Sequence, residues 1–232
     1  MLRRSIVAGA LVMTAAVLLP GVAAAQQQSV ALNIGVLTLR GEDTRPVGDV
    51  LLENLYYHAF DLRDLDGATI SGEWMTSLGR HIEASVGVGF YQRRTPAVYI
   101  DWVNEDGSDI MQDFKLQMVP VTAIVRFLPT GRRAPVQPYI GAGVAVIRWR
   151  YSETGEFIDS NGDVFRGNFV GRGTDVGPVI VGGVRVPVSL GFSLGGEVRY
   201  QQAEGRLNAN DFNGDRIDLG AFTYQLTMQF KF

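Results

Sequence analysis

The chain has 232 residues, 28 of them glycine and none cysteine, with a formal net charge of −3. The lack of cysteine excludes a disulfide framework and thiolate chemistry, and the mild acidity argues against nucleic acid as a partner. The length suits one domain with a full core.

The first 25 residues have the pattern of a secretory signal peptide. Arg3 and Arg4 form a basic region, residues 6–19 are almost wholly apolar, and residues 23–25 are the small alanines that a signal peptidase reads. The apolar run is short for a bilayer core of ~30 Å, so an uncleaved anchor helix is the weaker alternative. We expect a signal peptide over 1–25 and one exported domain over 26–232.

Eight segments of this domain alternate between apolar and other residues, as strands with two unlike faces do. In the fourth segment the apolar residues change face near Pro120, where we expect a β-bulge. An even number of strands, each at least the ~9–11 residues that cross a membrane, suits a bacterial barrel. The segments are 29–40, 67–78, 81–92, 112–127, 137–151, 174–186, 189–202 and from about 219 to the C-terminus.

The last strand alternates most strictly. Tyr224, Leu226, Met228, Phe230 and Phe232 share one face, and polar residues fill the other. A soluble sandwich would turn the apolar face inward, whereas a membrane barrel would turn it toward lipid. No segment after the signal is long enough for a membrane-spanning helix, and a chain without one crosses hydrocarbon only as a closed barrel.

The connections between the predicted strands decide between these two folds. Long loops at 41–66, 93–111, 152–173 and 203–218 alternate with short turns at 79–80, 128–136 and 187–188. Outer-membrane barrels sort their loops in this way, with short periplasmic turns and long external loops. The sequence therefore predicts an all-β fold, an eight-stranded antiparallel up-and-down transmembrane β-barrel in the bacterial outer membrane.

Three stretches resemble the small eight-stranded outer-membrane barrels, the superfamily of OmpW, OmpX and the OmpA transmembrane domain. They are Val119-Pro120-Val121-Thr122 with Pro138-Tyr139-Ile140-Gly141-Ala142-Gly143-Val144, Gly195-Gly196-Glu197-Val198-Arg199-Tyr200, and the aromatic alternation that ends at Phe232. The resemblance implies that Tyr224, Phe230 and Phe232 form the signal read by the barrel-insertion machinery, a partner beside outer-membrane lipid. It also implies a conduit or binding site for small hydrophobic molecules, as in OmpW-like members, or loops presented at the cell surface, as in OmpX-like members.

Strand parity predicts which charged residues face the lumen. These are Glu73, Glu83, Arg185, Glu197 and Arg199. Charges removed from bulk water must pair, so we expect a Glu–Arg network that braces the barrel or, alternatively, a gate whose pairs exchange partners. Four aromatic residues are predicted to form interfacial girdles, namely Trp74, Trp149, Tyr151 and Tyr200.

We expect a non-enzymatic protein, either an envelope structural protein or a narrow conduit or binding site for small hydrophobic molecules. The alternatives are a surface-recognition barrel that acts through its external loops and a lipid-modifying enzyme. Catalysis needs a base, a nucleophile and an orienting group in contact, and the two histidines, His58 and His81, lie in no such pattern.

Two further features leave alternatives open. Loops 159–163 and 211–215 both read Asp-x-Asn-Gly-Asp, which fits either alternate calcium ligands or Asn-Gly turns; no metal and no cofactor are expected. The first long loop is unusually apolar, and Val47, Leu51 and Leu55 repeat every four residues as on one short helix. This loop is expected to cap the lumen, to bind a hydrophobic ligand, to pack on the other loops, or to extend the second strand above the bilayer.

Overall fold

The computed structural model describes residues 27–159 and 161–232, so the predicted signal peptide lies outside the described residues. Within them, eight long strands form a barrel, and three short strands (β2, β9 and β10) and one short helix lie in its loops. The strands are β1 (Gln28–Leu39), β2 (His58–Ala59), β3 (Gly67–Ser77), β4 (Ile82–Val103), β5 (Asp109–Phe127), β6 (Gln137–Ile158), β7 (Val164–Pro187), β8 (Phe192–Gln201), β9 (Glu204–Arg206), β10 (Arg216–Asp218) and β11 (Ala221–Lys231). The helix is α1 (Val50–Asn54), and 3-10 turns occur at Glu42–Thr44 and Leu62–Leu65.

The barrel closes by antiparallel pairing of neighbours in the chain. Each long strand pairs with the next long strand, and β11 pairs with β1 over eleven residue pairs from Ser29–Lys231 to Leu39–Ala221. Closure pairs the backbone groups of every long strand across the membrane-spanning height, as hydrocarbon requires. The predicted eight-stranded antiparallel barrel is confirmed.

Three strands, β4, β6 and β7, are much longer than predicted, and β5 begins three residues earlier. The β6–β7 pairing runs without a shift from Gln137–Arg185 up to Ile158–Val164, and β4 pairs with β5 as far as Val103–Asp109. The predicted loops 93–111 and 152–173 are therefore mostly hairpin extensions of β4 to β7. These extensions lack the apolar alternation that predicts a membrane strand, because beyond the membrane the outer face of a strand meets water and need not be apolar.

The structure has no register shift at Pro120, where we expect a β-bulge, although the pairs of β4 with β5 are interrupted there between Val88–Val121 and Tyr91–Met118. The pairing of β5 with β6 continues through Pro120, which lies opposite Ile147, and the register shift of the β4–β5 pair falls between Val98 and Val103. Even-numbered residues of β5 point inward along the strand. The strand itself does not change face. Apolar side chains occur on its inner face above Pro120 because the upper lumen is apolar.

One side of the barrel is lower than the other, and the loops cover it, because the neighbouring strands β3, β1, β11 and β8 are shorter than β4 to β7. β2 pairs with β4 through His58–Tyr99 and Ala59–Val98, and β9 pairs with β10. α1 begins after Asp49, whose carboxylate accepts hydrogen bonds from the amides of Leu51 and Leu52 and so caps the helix. In the described part of the chain, no helix is both long and apolar enough to cross a bilayer.

Candidate functional site

The outward face of the barrel is apolar over a continuous belt. Its side chains are exposed although they are large and hydrophobic, which soluble proteins avoid over such an area. This apolar belt comprises Val30, Leu32, Ile34, Val36, Ile70, Trp74, Ile82, Val86, Val88, Phe90, Val121, Val125, Phe127, Ile140, Val144, Val146, Val176, Ile180, Val184, Val186, Leu194, Val198, Phe222, Tyr224, Leu226 and Phe230. On β4 to β7 it ends where outward residues become polar, at Gln92, Gln117, Arg148 and Thr174. We call the parts of β4 to β7 beyond these residues the external hairpins.

A buried charge network fills the lower lumen. The Arg126 Nη2 atom lies 2.7 Å from Glu73 Oε2 and 2.9 Å from Glu197 Oε2. The Arg199 guanidinium also contacts both carboxylates, at 2.9 Å from Glu197 Oε1. Each of the two carboxylates thus contacts both arginines. The four side chains together have no net charge, and their mutual contacts offset the cost of removing them from water.

Neutral side chains complete this network. The Tyr139 hydroxyl donates to Glu197 Oε2 at 3.0 Å, and Gln225 Nε2 donates to Glu197 Oε1 at 2.8 Å. The Arg126 and Arg185 guanidinium carbons lie 5.6 and 5.2 Å from the centroid of the Tyr139 ring, within cation–π range.

A separate ion pair lies nearer the short turns, where Arg185 Nη2 is 2.8 Å from Glu83 Oε2. The structure therefore divides the five predicted lumen charges into two groups. Sequence reasoning missed Arg126, although it is the one charge in the stretch 119–127 and has the opposite parity to Val125 and Phe127.

The upper lumen is apolar rather than polar as predicted. Inward side chains of the barrel meet buried side chains of the loops there and form one core. The barrel contributes Leu37, Leu39, Tyr91, Phe114, Leu116, Met118, Ile147, Trp149 and Tyr151, and the loops contribute Val50, Leu51, Leu62, Leu65, Phe212, Ile217 and Leu219. The first loop, 41–66, is thus a plug that fills the upper lumen, which is the capping role considered for it.

One anchor of the plug is a fully buried ion pair. Arg45 Nε lies 2.7 Å from Asp49 Oδ1, and neither side chain is exposed. Arg45 also donates to the backbone oxygen of Asp218 at 2.9 Å, while Asp49 Oδ2 accepts from the Asp218 amide at 2.6 Å. The pair ties the plug to β10 of the last long loop.

A second anchor joins the plug to β6. Asn54 Nδ2 donates to Glu153 Oε1 at 2.6 Å, the Tyr151 hydroxyl donates to the same oxygen at 2.8 Å, and Asn213 Nδ2 donates to Asn54 Oδ1 at 2.7 Å. These residues lie beyond the apolar belt. Burial raises the pKa of Glu153 above its ordinary value, and the two hydrogen bonds only partly offset this.

His58 is buried at the edge of the plug. Its Nδ1 atom lies 3.2 Å from the Asn54 carbonyl oxygen, and its ring packs on Tyr99 and Phe114 at centroid distances of 4.3 and 5.3 Å. Burial lowers the pKa of His58 to about 4, because the charged ring would lose its hydration. These contacts give His58 a packing role at the plug, and His81 Nδ1 lies 2.9 Å from the Leu128 carbonyl oxygen at a short turn.

The four predicted girdle aromatics separate into two pairs. Trp74 is exposed on the apolar belt, and Tyr200 contacts Phe222 there with ring centroids 4.8 Å apart. Trp149 and Tyr151 instead point into the upper lumen, where they are 2% and 0% exposed, so they do not face lipid. Their odd-numbered positions on β6 place them inward, and the outward neighbours are Arg148 and Arg150. The three residues proposed as an insertion signal, Tyr224, Phe230 and Phe232, are exposed on the outer face.

The external hairpins carry an acidic tip with an exposed aromatic. A cleft of about 890 Å³ lies between the two tips, lined by Trp102, Val103, Glu105, Asp106, Asp163 and Val164 among others. Hydrogen bonds from the Ser108 side chain and amide lower the pKa of Asp106, so this carboxylate keeps its charge.

Loop 159–163, one of the two loops considered for calcium, has the geometry of a turn. Asp159 accepts hydrogen bonds from the backbone amides of Asn161 and Asp163 at 2.8 and 2.9 Å.

A second cavity opens at the lipid boundary. β8 ends at Gln201, which pairs with Val179, and the next residue stays bound to β7, since the Gln202 amide donates to the Pro178 carbonyl oxygen at 3.1 Å. Beyond this point lies a cavity of about 580 Å³, lined by Arg40, Pro46, Val176, Pro178, Ala203 and Asp218 among others. An Arg40–Asp218 ion pair of 3.3 Å borders it.

Comparisons with known proteins bear on the fold. No family model matches the chain, and no curated protein matches its sequence. Among solved structures, the outer membrane protein OprG from Pseudomonas aeruginosa is similar, with 11% identity, 90% of this chain and 96% of that chain covered, and a TM-score of 0.51. A major outer membrane protein from Thermus thermophilus has 13% identity, covers 90% of this chain and 100% of its own, and has the same TM-score of 0.51. The chain has the fold of the small eight-stranded barrels of bacterial outer membranes, and its apolar belt is the surface that such a barrel presents to lipid.

Proposed function

We propose that this protein is a non-enzymatic surface-recognition barrel, which binds a partner outside the cell through its external hairpins. One observation carries the proposal: the lumen is filled at two levels, while four paired strands continue beyond the membrane as a platform. Because the lumen is filled and the hairpins project from it, we prefer recognition to the envelope structural protein or narrow conduit expected first from the sequence.

The tip of the platform supports a partner of basic character. Asp101, Glu105, Asp106 and Asp109 lie within one hairpin end without a lysine or arginine among residues 99–111. Trp102 is 52% exposed beside them, and an exposed aromatic within a charged rim is typical of binding sites. A basic protein surface with an apolar centre complements this tip.

The proposal is tested on bacteria that display the chain in their outer membrane. The variant D101N/W102A/E105Q/D106N removes the charge and the ring from the tip, and R133Q, on a short turn at the opposite end, is the matched control. We expect cells with the wild-type chain or R133Q to bind immobilised histone more than immobilised casein, and the tip variant to lose at least most of that difference. Equal binding by the tip variant and the wild type contradicts the proposal.

The cavity beyond the end of β8 favours a second candidate, a narrow lateral conduit for small amphipathic molecules. Pro178 and Ala203 line this cavity together with Val176 of the belt. Planar bilayer recordings test it: a discrete conductance, or saturable uptake of a small alkane-like dye into vesicles, that P178W or A203W blocks supports the conduit. Silent bilayers and unchanged dye uptake leave surface recognition as the proposed function.

A further inference from the structure

A group of cations lies on the outer face of the barrel, at the upper end of the apolar belt. This basic patch consists of Arg94, Lys115, Arg148, Arg150 and Arg172, all on the outward faces of the external hairpins or at their base. It spans four neighbouring strands, β4 to β7. It has no part in the plug or in the tips of the hairpins.

The strand register brings like charges together within the patch. Arg150 lies directly opposite Arg172 on β7, and Arg94 lies directly opposite Lys115 on β5. Arg148 precedes Arg150 by two residues on the same face of β6, a spacing of about 7 Å. Side chains directly opposite have Cβ atoms only ~5 Å apart, and like charges in that position destabilise a sheet.

The patch is not neutralised from within the chain. Among the described residues its one ion pair joins Arg94 to Asp113, at 3.7 Å between two well-exposed side chains. Other acids of these strands are committed elsewhere: Glu153 points inward to Asn54, Asp175 accepts from the Trp149 indole, and Glu156 pairs with Arg166 near the tips. An anion from outside the chain would offset this repulsion.

The position of the patch identifies the kind of anion. Below it on the same outward faces lie Phe90, Val119 and Val146, so lipid acyl chains reach up to the patch and the headgroups lie beside it. Phosphate is the anion that headgroups carry, and arginine binds it in a bidentate fork. We propose that the basic patch binds phosphate groups of anionic lipid in the external leaflet, and so holds the barrel at a fixed depth and rotation among its lipids.

The test uses the full mature chain, refolded in a zwitterionic detergent that lacks phosphate. R150Q/R172Q removes the opposed pair, R150K/R172K keeps its charge without the fork, and R133Q/R206Q removes the same charge from exposed sites elsewhere. Retention of diphosphorylated lipid A is measured by native mass spectrometry. We expect R150Q/R172Q to weaken retention by roughly tenfold or more, R150K/R172K to weaken it less, and R133Q/R206Q to leave it unchanged.

Two further arms separate the source of the phosphate. Dephosphorylated lipid A is expected to bind wild type and R150Q/R172Q equally weakly, and millimolar inorganic phosphate is expected not to displace the lipid. Equal retention of lipid A by wild type and R150Q/R172Q overturns the proposal, and so does ready displacement by inorganic phosphate, which would indicate a site for a soluble anion.

Folding of the variant is read from heat-dependent gel mobility. Because R150Q/R172Q relieves a like-charge contact, we expect it to withstand heat at least as well as wild type in the phosphate-free detergent. A lower transition temperature would mean that the two arginines are already neutralised by the protein, which also overturns the proposal.

Discussion

Arg126 of β5 and Glu197 of β8 are joined in the lumen at 2.9 Å, although two strands separate β5 from β8 in the ring. Arg126 also reaches Glu73 of β3, on its other side. The side chain therefore connects three strands that share no backbone pairing with one another. This is the geometry of a brace, and a gate would have to break several of these contacts at once.

Removal of Glu197 tests the brace. E197A leaves Arg126 and Arg199 with one shared carboxylate and deprives Tyr139 and Gln225 of their acceptor. We expect a loss of about 3–5 kcal/mol in the free energy of unfolding, because a buried charge is left uncompensated. Urea unfolding in lipid vesicles measures this, with E204A on the exposed β9 as the control. Conductance in planar bilayers is expected to stay unchanged, and a new open state in E197A would favour the gate.

The Arg45–Asp49 pair is expected to hold the plug in place. D49N keeps a capping side chain for α1 but leaves Arg45 buried without a counter-charge, which we expect to weaken plug attachment by about 3 kcal/mol or more. Limited proteolysis is the measurement: cleavage within 41–66 should become much faster while the barrel strands stay protected. R45M/D49N removes both charges and should recover much of the protection; if it is cleaved as fast as D49N, the buried pair is not the anchor.

His58 makes plug attachment sensitive to acid. Its pKa is lowered from 6.5 to about 4 when it is buried, so a detached loop binds more protons than an attached one between these two values. Attachment should be constant above pH 6.5 and weaken as the pH falls toward 4, by about 2–3 kcal/mol in all. Hydrogen exchange of residues 41–66 against pH, for wild type and H58F, measures it.

Glu153 changes plug attachment with pH in the opposite direction to His58. The comparison of wild type with H58F removes the contribution of Glu153. Since burial raises its pKa, a fall in pH neutralises Glu153 and favours attachment. Both chains contain Glu153, so only the difference between their curves reports on His58. A difference that is flat from pH 6.5 to 4 would show that His58 does not govern the plug.

Trp149 needs glycine beside its ring. A Cβ at position 205 would lie 2.3 Å from Trp149 Cζ2, and one at position 173 would lie 2.9 Å from the same atom. The ring cannot move away freely because its Nε1 atom donates to Asp175 at 2.6 Å. We expect G205A to lower stability by about 1–3 kcal/mol and to shift tryptophan fluorescence. G41A, whose Cβ would meet nothing within 4 Å, is the control and should be close to neutral.

Much of the architecture follows from local pattern. Alternation along residues 221–231 and the contrast between short turns and long loops were enough to predict the closed barrel, since a period of two with one apolar face allows few other folds for an exported chain. The inward position of Glu73 and Glu197 followed from the same parity. Arg126 is within reach of the same reasoning, because its neighbours Val125 and Phe127 are apolar and alternate with it.

Other features depended on contacts between distant segments. Phe114, Leu116 and Trp149 are apolar, like the residues that face lipid, yet they point inward. An apolar inward face is stable there because a loop far away in the chain fills the upper lumen. The external hairpins escaped prediction because their outer face meets water and loses the apolar pattern. By itself the sequence determined which side chains share a face of each strand, since backbone geometry fixes that locally. Whether a face meets lipid, a charged lumen or a packed loop was decided only by barrel closure and by the path of the first loop, because burial belongs to neighbours in space.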